Sequence, residues 1–364
     1  MNDILRPELL WIEGRCYRVN DSTKEVSTLQ EHDLYEIDAP YNEFEENDTD
    51  DVECEVVQVD GGRFCTSFHV SKHYMGSIIG KKGATIARIG RDTRTDIKVP
   101  RQGENKDITV FGPSVSNVKA AFRRINLIVM SSRMKQAFTH FVSIPINSPE
   151  VVRNFENFKE SVLRECPGIE DSLFIKPGKL HITVGVMCLM DNEERLAASK
   201  LLTEARDKYI MPMLGDYLPF NIRLKGLSYM NDDPRAVHVL YGCVEEDGAP
   251  AGVLQRAIDA VHAHFYKAGF MEREFNRDSV KMHVTLLNSK FREEQKETGC
   301  EDTDSAKSRN HRESFDGSEI LSKFADYDFG VTEFSNIQLS QRSTVGPDGF
   351  YQPTCVVSFI DTKQ

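Results

Sequence analysis

Between residues 62 and 133 the chain switches repeatedly between two apolar patterns. Alternation of apolar and polar residues predicts strands at 63–70, 96–100 and 107–111. Apolar residues spaced three and four apart predict helices at 71–79, 84–94 and 114 to about 135. The last helix has Ser114 at its N-cap. Its predicted buried face comprises Val118, Ala121, Phe122, Ile125 and Ile128. The predicted order is β-α-α-β-β-α.

The remainder of the chain mixes longer strands with three amphipathic helices. The alternating pattern predicts strands at 138–146, 180–189, 220–230, 236–244, 280–287, 331–341 and 352–360. The helical pattern predicts helices at 149–164, 193–211 and 250–268. This mixture predicts an α+β domain. Residues 289–317 are polar and rich in charge, so they are predicted to be a long surface insertion.

The N-terminal segment combines an apolar patch with an acidic stretch. The patch, Leu9–Ile12, contains the only tryptophan of the chain. Residues 30–60 contain thirteen acidic residues and no lysine or arginine, and are predicted to be disordered. The patch is interpreted either as a peptide that docks on a partner protein or as a terminal strand that covers one of the domains. The predicted organisation is a tail at 1–61, one domain at 62–135 and a second at 136–364.

The distribution of charge changes what the net charge implies. The chain carries a net charge of −12, but residues 61–135 contain fifteen lysines and arginines against four acids. A basic domain of this kind indicates a polyanionic ligand. There is no run of 18 apolar residues and no pattern typical of a secretory signal, so no membrane partner is predicted. Scattered cysteines without a CxxC motif favour an intracellular protein with reduced thiols.

A glycine-flanked loop, Gly80-Lys81-Lys82-Gly83, connects the first two predicted helices. Glycines let a backbone approach phosphates closely, and the start of the following helix offers free N–H groups and the positive end of its dipole. The loop lies in the pattern Ile-Ile-Gly-Lys-Lys-Gly-x-x-Ile-x-x-Ile, which resembles a type I KH domain. The resemblance implies a clamp for four nucleotides of single-stranded RNA or other nucleic acid. It also implies that Ile78, Ile79, Ile86 and Ile89 form the core and the groove floor. The alternative is a KH fold that serves only for packing.

Two segments of the second domain, 179–184 and 281–286, share the pattern Lys-φ-His-φ-Thr-φ, where φ is apolar. Alternate residues of a strand share a face, so His181 is expected beside Thr183, and His283 beside Thr285. Two histidines can supply the base and the acid that cleavage of a phosphodiester requires. Threonine hydroxyls can donate to the phosphate oxygens. This chemistry needs no metal and no cofactor.

Four further histidines are weaker candidates for a functional role. His69-Val70-Ser71 also has the His-x-Ser spacing, but Ser71 is better placed as the N-cap of the first KH helix. His140 is expected at an edge of the second domain. His262 and His264 are two residues apart on a predicted helix, so they would make a poor metal pair. Lys179 and Lys281 are interpreted as solvated rather than catalytic.

The paired motifs resemble those of the 2H phosphoesterase superfamily, across about 225 residues. The resemblance implies a two-lobed, pseudo-symmetric domain that acts on 2′,5′-linked or 2′,3′-cyclic phosphates at RNA ends, with His181, Thr183, His283 and Thr285 as the catalytic set. Segments 5–7, 14–18, 230–234, 313–317 and 339–342 resemble a family of subunits of a helicase-containing complex. That resemblance implies a nuclear protein linked to transcription and alkylation repair. The alternative is a non-catalytic RNA-binding or scaffold subunit of such a complex.

Overall fold

The structure is a computed structural model. It describes residues 54–59, 61–101, 107–272, 279–292 and 313–359, together with the backbone of two short strands near the N-terminus. The chain divides into two compact units, Met1–Asp51 and Val52–Gln364. None of the helices in the described ranges is long and apolar enough to cross a membrane.

In the first unit the described backbone forms a hairpin. Strand β1, Leu9–Ile12, pairs antiparallel with β2, Arg15–Arg18. The apolar patch is therefore a strand, and the strand after it is its partner in the described backbone. Its role in docking stays a prediction. Most of the stretch predicted to be disordered lies outside the described residues.

The predicted β-α-α-β-β-α order is found at the start of the second unit. Its elements are β4 (Arg63–Phe68), α1 (Met75–Ile79), α2 (Ala84–Thr93), β5 (Asp96–Lys98), β6 (Ile108–Gly112) and α3 (Val115–Met134). As predicted, Ser114 caps α3, since its Oγ accepts a hydrogen bond from the backbone N–H of Asn117 at 3.2 Å. The predicted helix face is buried, with Ile128 only partly so.

The sheet has a fourth strand that the sequence pattern missed. Strand β3, Val57–Val59, pairs antiparallel with β4 and gives the order β3-β4-β6-β5. It lies inside the stretch predicted to be disordered, so that prediction is wrong for these residues. The acidic composition hid the strand, because an edge strand needs little apolar surface: Val57 is 48% exposed. The hydroxyl of Thr66 donates to the backbone oxygen of Glu55 at 2.7 Å and helps to fix the edge.

The rest of the second unit is built on an eight-stranded antiparallel sheet. Its strands are β7 (His140–Pro145), β8 (His181–Met187), β9 (Asn221–Tyr229), β10 (Val239–Asp247), β11 (Val284–Asn288), β12 (Asp328–Glu333), β13 (Asn336–Val345) and β14 (Tyr351–Ser358). Its helices are α4 (Pro149–Glu165), α5 (Asn192–Ala205), α6 (Met211–Leu214), α7 (Val253–Lys267) and α8 (Ser318–Phe324). The order β12-β9-β10-β11-β8-β7-β13-β14 places β8 and β11 at the centre.

Two predictions for this part are corrected. The single strand predicted at 331–341 is two strands, β12 and β13, which lie far apart in the sheet. The residues between the two strands include no glycine or proline, so no strong turn signal marked the break. The predicted insertion at 289–317 is too wide, because its ends pack into the core. Phe315 is 4% exposed and forms a β-bridge with Val237. Residues 293–312 lie outside the description.

The KH part and the large sheet are in contact through polar side chains. Arg133, near the end of α3, pairs with Glu194 of α5 at 2.6 Å, and both side chains are buried. Glu194 also accepts the backbone N–H of Met190 at 2.7 Å. Asp191 caps α5 through the backbone N–H of Glu194 and pairs with His69 at 3.0 Å. These contacts join the KH part to α5 of the larger part.

Candidate active site and nucleic-acid interface

The two histidine motifs lie on neighbouring strands at the centre of the large sheet. β8 begins at His181, and β11 begins directly after His283. The strands run antiparallel, with Ile182 opposite Val284. Both of these apolar residues are completely buried, whereas the histidines and threonines that alternate with them are partly exposed. The structure therefore brings the four predicted residues together on one face of the sheet.

Each histidine is held through its Nδ1 atom by the backbone two residues earlier. His181 Nδ1 lies 2.7 Å from the carbonyl oxygen of Lys179, and His283 Nδ1 lies 2.7 Å from that of Lys281. Because a carbonyl oxygen can only accept, Nδ1 carries the proton in both rings. Nε2 of a neutral ring is then a proton acceptor, and Nε2 of a charged ring is a donor. Either histidine can thus serve as base or as acid.

Aromatic side chains surround the histidines unequally. The His181 ring lies 5.1 Å from the Phe141 ring, 5.4 Å from the Tyr351 ring and 6.2 Å from the Phe350 ring. The His283 ring contacts the Tyr241 ring at 5.3 Å. Sequence reasoning missed all four rings. Nothing in the repeated motif points to them, since they come from β7, from β10 and from residues 350 and 351 at the start of β14 and just before it.

The rings of Phe141, Tyr351 and Phe350 form an aromatic wall around His181, and burial favours the neutral form of the histidine. Burial is the largest cause that lowers the pKa of His181 to about 4, and the charges of His283 and Lys179 act in the same direction. The hydrogen bond to the carbonyl of Lys179 opposes this shift without reversing it. His181 is therefore neutral at neutral pH, with Nε2 available as an acceptor.

The lysines of the two motifs also contact aromatic rings. Lys179 Nζ lies 4.7 Å from the centre of the Tyr351 ring, and Lys281 Nζ lies 4.7 Å from the centre of the Tyr241 ring. The interpretation of both lysines as simply solvated missed these contacts. A signal was present, because lysine occupies the same position in both motifs.

The remaining singled-out histidines have partners elsewhere in the fold. His140 is 5% exposed, and its Nδ1 lies 2.8 Å from the Thr139 hydroxyl. His69 pairs with Asp191. The prediction that Ser71 caps the first KH helix is wrong, because Ser71 precedes a short 3₁₀ turn, Lys72–Tyr74, and its side chain makes no cap hydrogen bond. The helix pair has separate partners: His262 Nε2 lies 3.1 Å from the backbone oxygen of Glu272, and His264 lies 3.6 Å from the Glu204 carboxylate. Among the described residues, no group of three or more potential ligands is placed to hold a metal ion.

The glycine loop has the backbone that its sequence predicted. Gly80 and Gly83 have φ angles of +70° and +79°, and α2 begins directly after Gly83. A Cβ at Gly80 would lie 2.1 Å from the Thr85 hydroxyl, so a side chain cannot be accommodated there. Lys81 and Lys82 are exposed. The loop thus presents its backbone and two ammonium groups to solvent.

The isoleucines around the loop divide between core and surface. Ile78 and Ile89 are buried in the KH core. Ile79 is 36% exposed and Ile86 is partly buried, which leaves apolar surface where the groove floor was predicted. The exposed cations of the α1, α2 and β5 region are Lys72, Lys81, Lys82, Arg88, Arg91, Arg94 and Lys98. An apolar strip edged by cations is suited to bases and phosphates of a single strand.

Comparison with known proteins finds a matching family model for each of the two parts of the chain. Residues 66–127 match the KH domain model, and residues 138–359 match the model described as the AKAP7 2′5′ RNA ligase-like domain. The activating signal cointegrator 1 complex subunit 1 of Mus musculus is 33% identical over 368 residues, which cover 98% of this chain and 99% of the mouse protein. The chain belongs to the activating signal cointegrator 1 complex subunit 1 family.

Two solved structures are similar to this member of the activating signal cointegrator 1 complex subunit 1 family over 61% of its length. They are TT0787 of Thermus thermophilus, with 17% identity, 97% of that chain covered and a TM-score of 0.38, and Escherichia coli LigT complexed with NADP+, with 13% identity, 98% covered and a TM-score of 0.36. The fold class predicted from the sequence, a KH domain followed by a 2H phosphoesterase fold, is confirmed by the two family models.

Proposed function

We propose that this protein binds single-stranded RNA through its KH domain and cleaves phosphodiesters at RNA ends in the two-histidine cleft. The proposed substrates are 2′,3′-cyclic or 2′,5′-linked phosphates. The observation that carries the proposal is the matched pair of histidines on adjacent central strands, each with its Nδ1 hydrogen-bonded to a backbone carbonyl oxygen two residues earlier.

The chemistry follows from the Nε2 atoms of the two histidines. One neutral ring takes a proton from the attacking water or hydroxyl as its oxygen forms a bond to phosphorus. The other ring, protonated, gives its proton to the oxygen that leaves as its bond to phosphorus breaks. The reverse reaction exchanges the two roles, so the assignment of base and acid depends on the direction of the reaction. The hydroxyls of Thr183 and Thr285 donate to the non-bridging oxygens as negative charge develops.

The cellular setting is proposed from the relative. The mouse protein is named as a subunit of the activating signal cointegrator 1 complex. We assign this chain to the corresponding helicase-containing complex, in the nucleus, with roles in transcription and alkylation repair. The KH domain would hold the RNA, and the cleft would act on its end.

A mutant cycle on the two histidines tests the proposal. His181→Ala and His283→Ala should each lower the rate by on the order of 10²–10⁴, and the double variant should be little worse, because residues acting as a unit are not additive. Thr183→Ala or Thr285→Ala should cost less, on the order of 10–10³. The measurement is the rate on purified RNAs that end in 2′,3′-cyclic, 2′-phosphate or 2′,5′-linked groups, at several pH values and with added EDTA.

Two further readouts identify the mechanism. The rate should follow a bell-shaped pH profile whose limbs belong to the coupled pair rather than to one histidine. It should also persist in EDTA, since the proposed scheme uses side chains alone. His140→Asn is the matched control, because His140 lies outside the cleft. A wild-type rate in either cleft variant, or full inhibition by EDTA, would contradict the mechanism and favour a cleft that only binds RNA.

A further inference from the structure

The two halves of the cleft repeat one arrangement of three groups. In each half a lysine carbonyl accepts the hydrogen bond of the histidine, the histidine ring packs against a tyrosine, and the lysine ammonium lies over the same tyrosine. The distances agree closely: 5.4 Å and 4.7 Å from Tyr351 to His181 and Lys179, and 5.3 Å and 4.7 Å from Tyr241 to His283 and Lys281. Each lysine is thus held beside its own histidine by a shared ring.

The tyrosines are not part of the sequence repeat. Tyr241 lies on β10 and pairs in register with Thr285, whereas Tyr351 begins β14. The two lysines therefore have the same position beside a tyrosine ring, although the two tyrosines come from strands with no sequence repeat. An aromatic face attracts an ammonium group and limits the conformations of its flexible stem. Both lysines are accordingly oriented before a ligand arrives.

The reaction has a need for positive charge that the histidines do not meet. A diester phosphate carries one negative charge, and more charge accumulates on its non-bridging oxygens as the new bond forms. Transfer of one proton to the base and one from the acid leaves the summed charge of the histidine pair unchanged. Threonine hydroxyls add dipoles but no charge. Fixed cations near the phosphate stabilise the added charge most strongly where water is excluded.

We infer that Lys179 and Lys281 form the anion-binding part of the two-histidine cleft and contact the phosphate oxygens of the substrate. This inference rests on the proposed phosphodiesterase function. The two lysines differ in exposure, so we assign them different roles in the reaction. Lys179 is partly buried beside the aromatic wall of His181, so it acts on the charge that develops during the reaction. Lys281 is exposed, so it contributes to capture of the negatively charged RNA.

Kinetics of lysine variants on the RNA substrates test the inference. Lys179→Met, which keeps the length of the stem, should lower kcat by on the order of 10² and raise KM by only about 5-fold, because its contact with the phosphate is made in the ground state and strengthens as charge develops. Lys281→Met should raise KM by about 5-fold, the effect of about 1 kcal/mol from an exposed charge, and should weaken the dependence of KM on salt. Lys179→Arg and Lys281→Arg should recover most of the loss. Lys176→Met and Lys290→Met, both at exposed lysines near the motifs, are the matched controls and should leave both parameters unchanged.

A binding measurement separates this inference from the proposed function. Inorganic phosphate is titrated into full-length protein carrying ¹³C-labelled histidine, and the ring signals of His181 and His283 are followed by NMR. Phosphate should shift both signals in wild type and in the controls, and the shifts should need more phosphate in the two Lys→Met variants. Should no RNA be cleaved, the proposed function fails, and this titration alone decides whether the lysines bind the anion. Wild-type kinetics or wild-type phosphate affinity in the Lys→Met variants would overturn the inference.

Discussion

At the scale of single residues, His140 shows how burial of a histidine makes the stability of the fold depend on pH. It lies on β7 with 5% of its surface exposed, and its Nε2 has no hydrogen-bond partner among the described residues. Burial is the largest cause that lowers the pKa of His140 to about 4, and the charge of Arg195 acts in the same direction. The folded protein therefore holds this ring neutral where an unfolded chain would protonate it.

This difference predicts a loss of stability on mild acidification. An unfolded histidine titrates near pH 6.5. Between about pH 6.5 and pH 4 the unfolded chain binds more protons than the folded one, so the free energy of unfolding falls as the pH falls through this window. His140→Asn should flatten the dependence. It should not abolish it, because the pKa values of His181 and His264 are lowered too. Urea unfolding at several pH values from 7 to 4 measures the effect.

The control for this prediction is an exposed histidine. His73→Asn makes the same substitution at an exposed position of the KH surface and serves as the matched control. An equal slope in wild type and His140→Asn would show that His140 is protonated in the folded state and would contradict the pKa assigned to it.

Residue-scale chemistry was predictable where it lies within one short segment. The repeated Lys-φ-His-φ-Thr-φ motif predicted that His181 shares a face with Thr183 and that His283 shares a face with Thr285, because alternate residues of a strand lie on one side. The rings of Tyr241 and Tyr351 were not predictable. They reach the histidines only through the pairing of strands that are distant in sequence, and apolar alternation carries no information about which strands pair.

At the scale of elements, the glycine loop is the segment in which sequence and structure agree most closely. The positive φ angles of both glycines, together with the Thr85 side chain next to Gly80, explain why glycine occupies these two positions. By contrast, the division of the predicted strand at 331–341 into β12 and β13 was hidden. A loop that needs positive φ angles requires glycine, so the sequence predicts it. A connection that needs no glycine or proline gives no such signal.

The exposed loop gives a direct test of RNA binding. Lys81→Asp combined with Lys82→Asp places two carboxylates where phosphates are expected and should weaken binding of short single-stranded RNA by on the order of 10²-fold. The slope of log affinity against log salt should fall by about 1.4, which is 0.7 for each lost phosphate contact. The fold should survive, since both side chains are exposed. Fluorescence anisotropy at several salt concentrations measures both quantities.

A second charge reversal separates a local contact from a general effect of charge. Lys119→Asp combined with Arg123→Asp changes the net charge equally, at two exposed positions of α3. It should weaken binding far less than the loop variant. Equal losses in the two variants would show that RNA is held by the overall field of the domain, and unchanged affinity in the loop variant would remove the loop from the interface.

At the scale of the whole molecule, the sequence predicted a KH region and a 2H region but not the contacts between them. The basic KH region and the 2H region were both visible in the sequence. The ion pair of Arg133 with Glu194 was not, because each residue looks like an ordinary exposed charge on an amphipathic helix. A buried pair of this kind loses stability when one partner is removed, by about 3–5 kcal/mol, since an uncompensated charge is left behind.

The remaining part of the molecule is the N-terminal unit, whose hairpin of Leu9–Ile12 and Arg15–Arg18 requires a partner of some kind. A two-stranded hairpin is at best marginally stable alone in water, so its apolar strand must be covered by the rest of the chain or by another protein. We expect another protein, a subunit of the helicase-containing complex that we proposed above. Deletion of residues 1–29 should therefore abolish recovery of the helicase subunit in an affinity pulldown and leave the melting temperature nearly unchanged.

In the full chain, Leu9→Asp with Trp11→Asp should reproduce the loss of recovery. Asn20→Asp with Ser22→Asp adds the same charge outside the hairpin strands and should leave recovery unchanged. A large fall in melting temperature on deletion would show instead that the hairpin covers a domain of this chain.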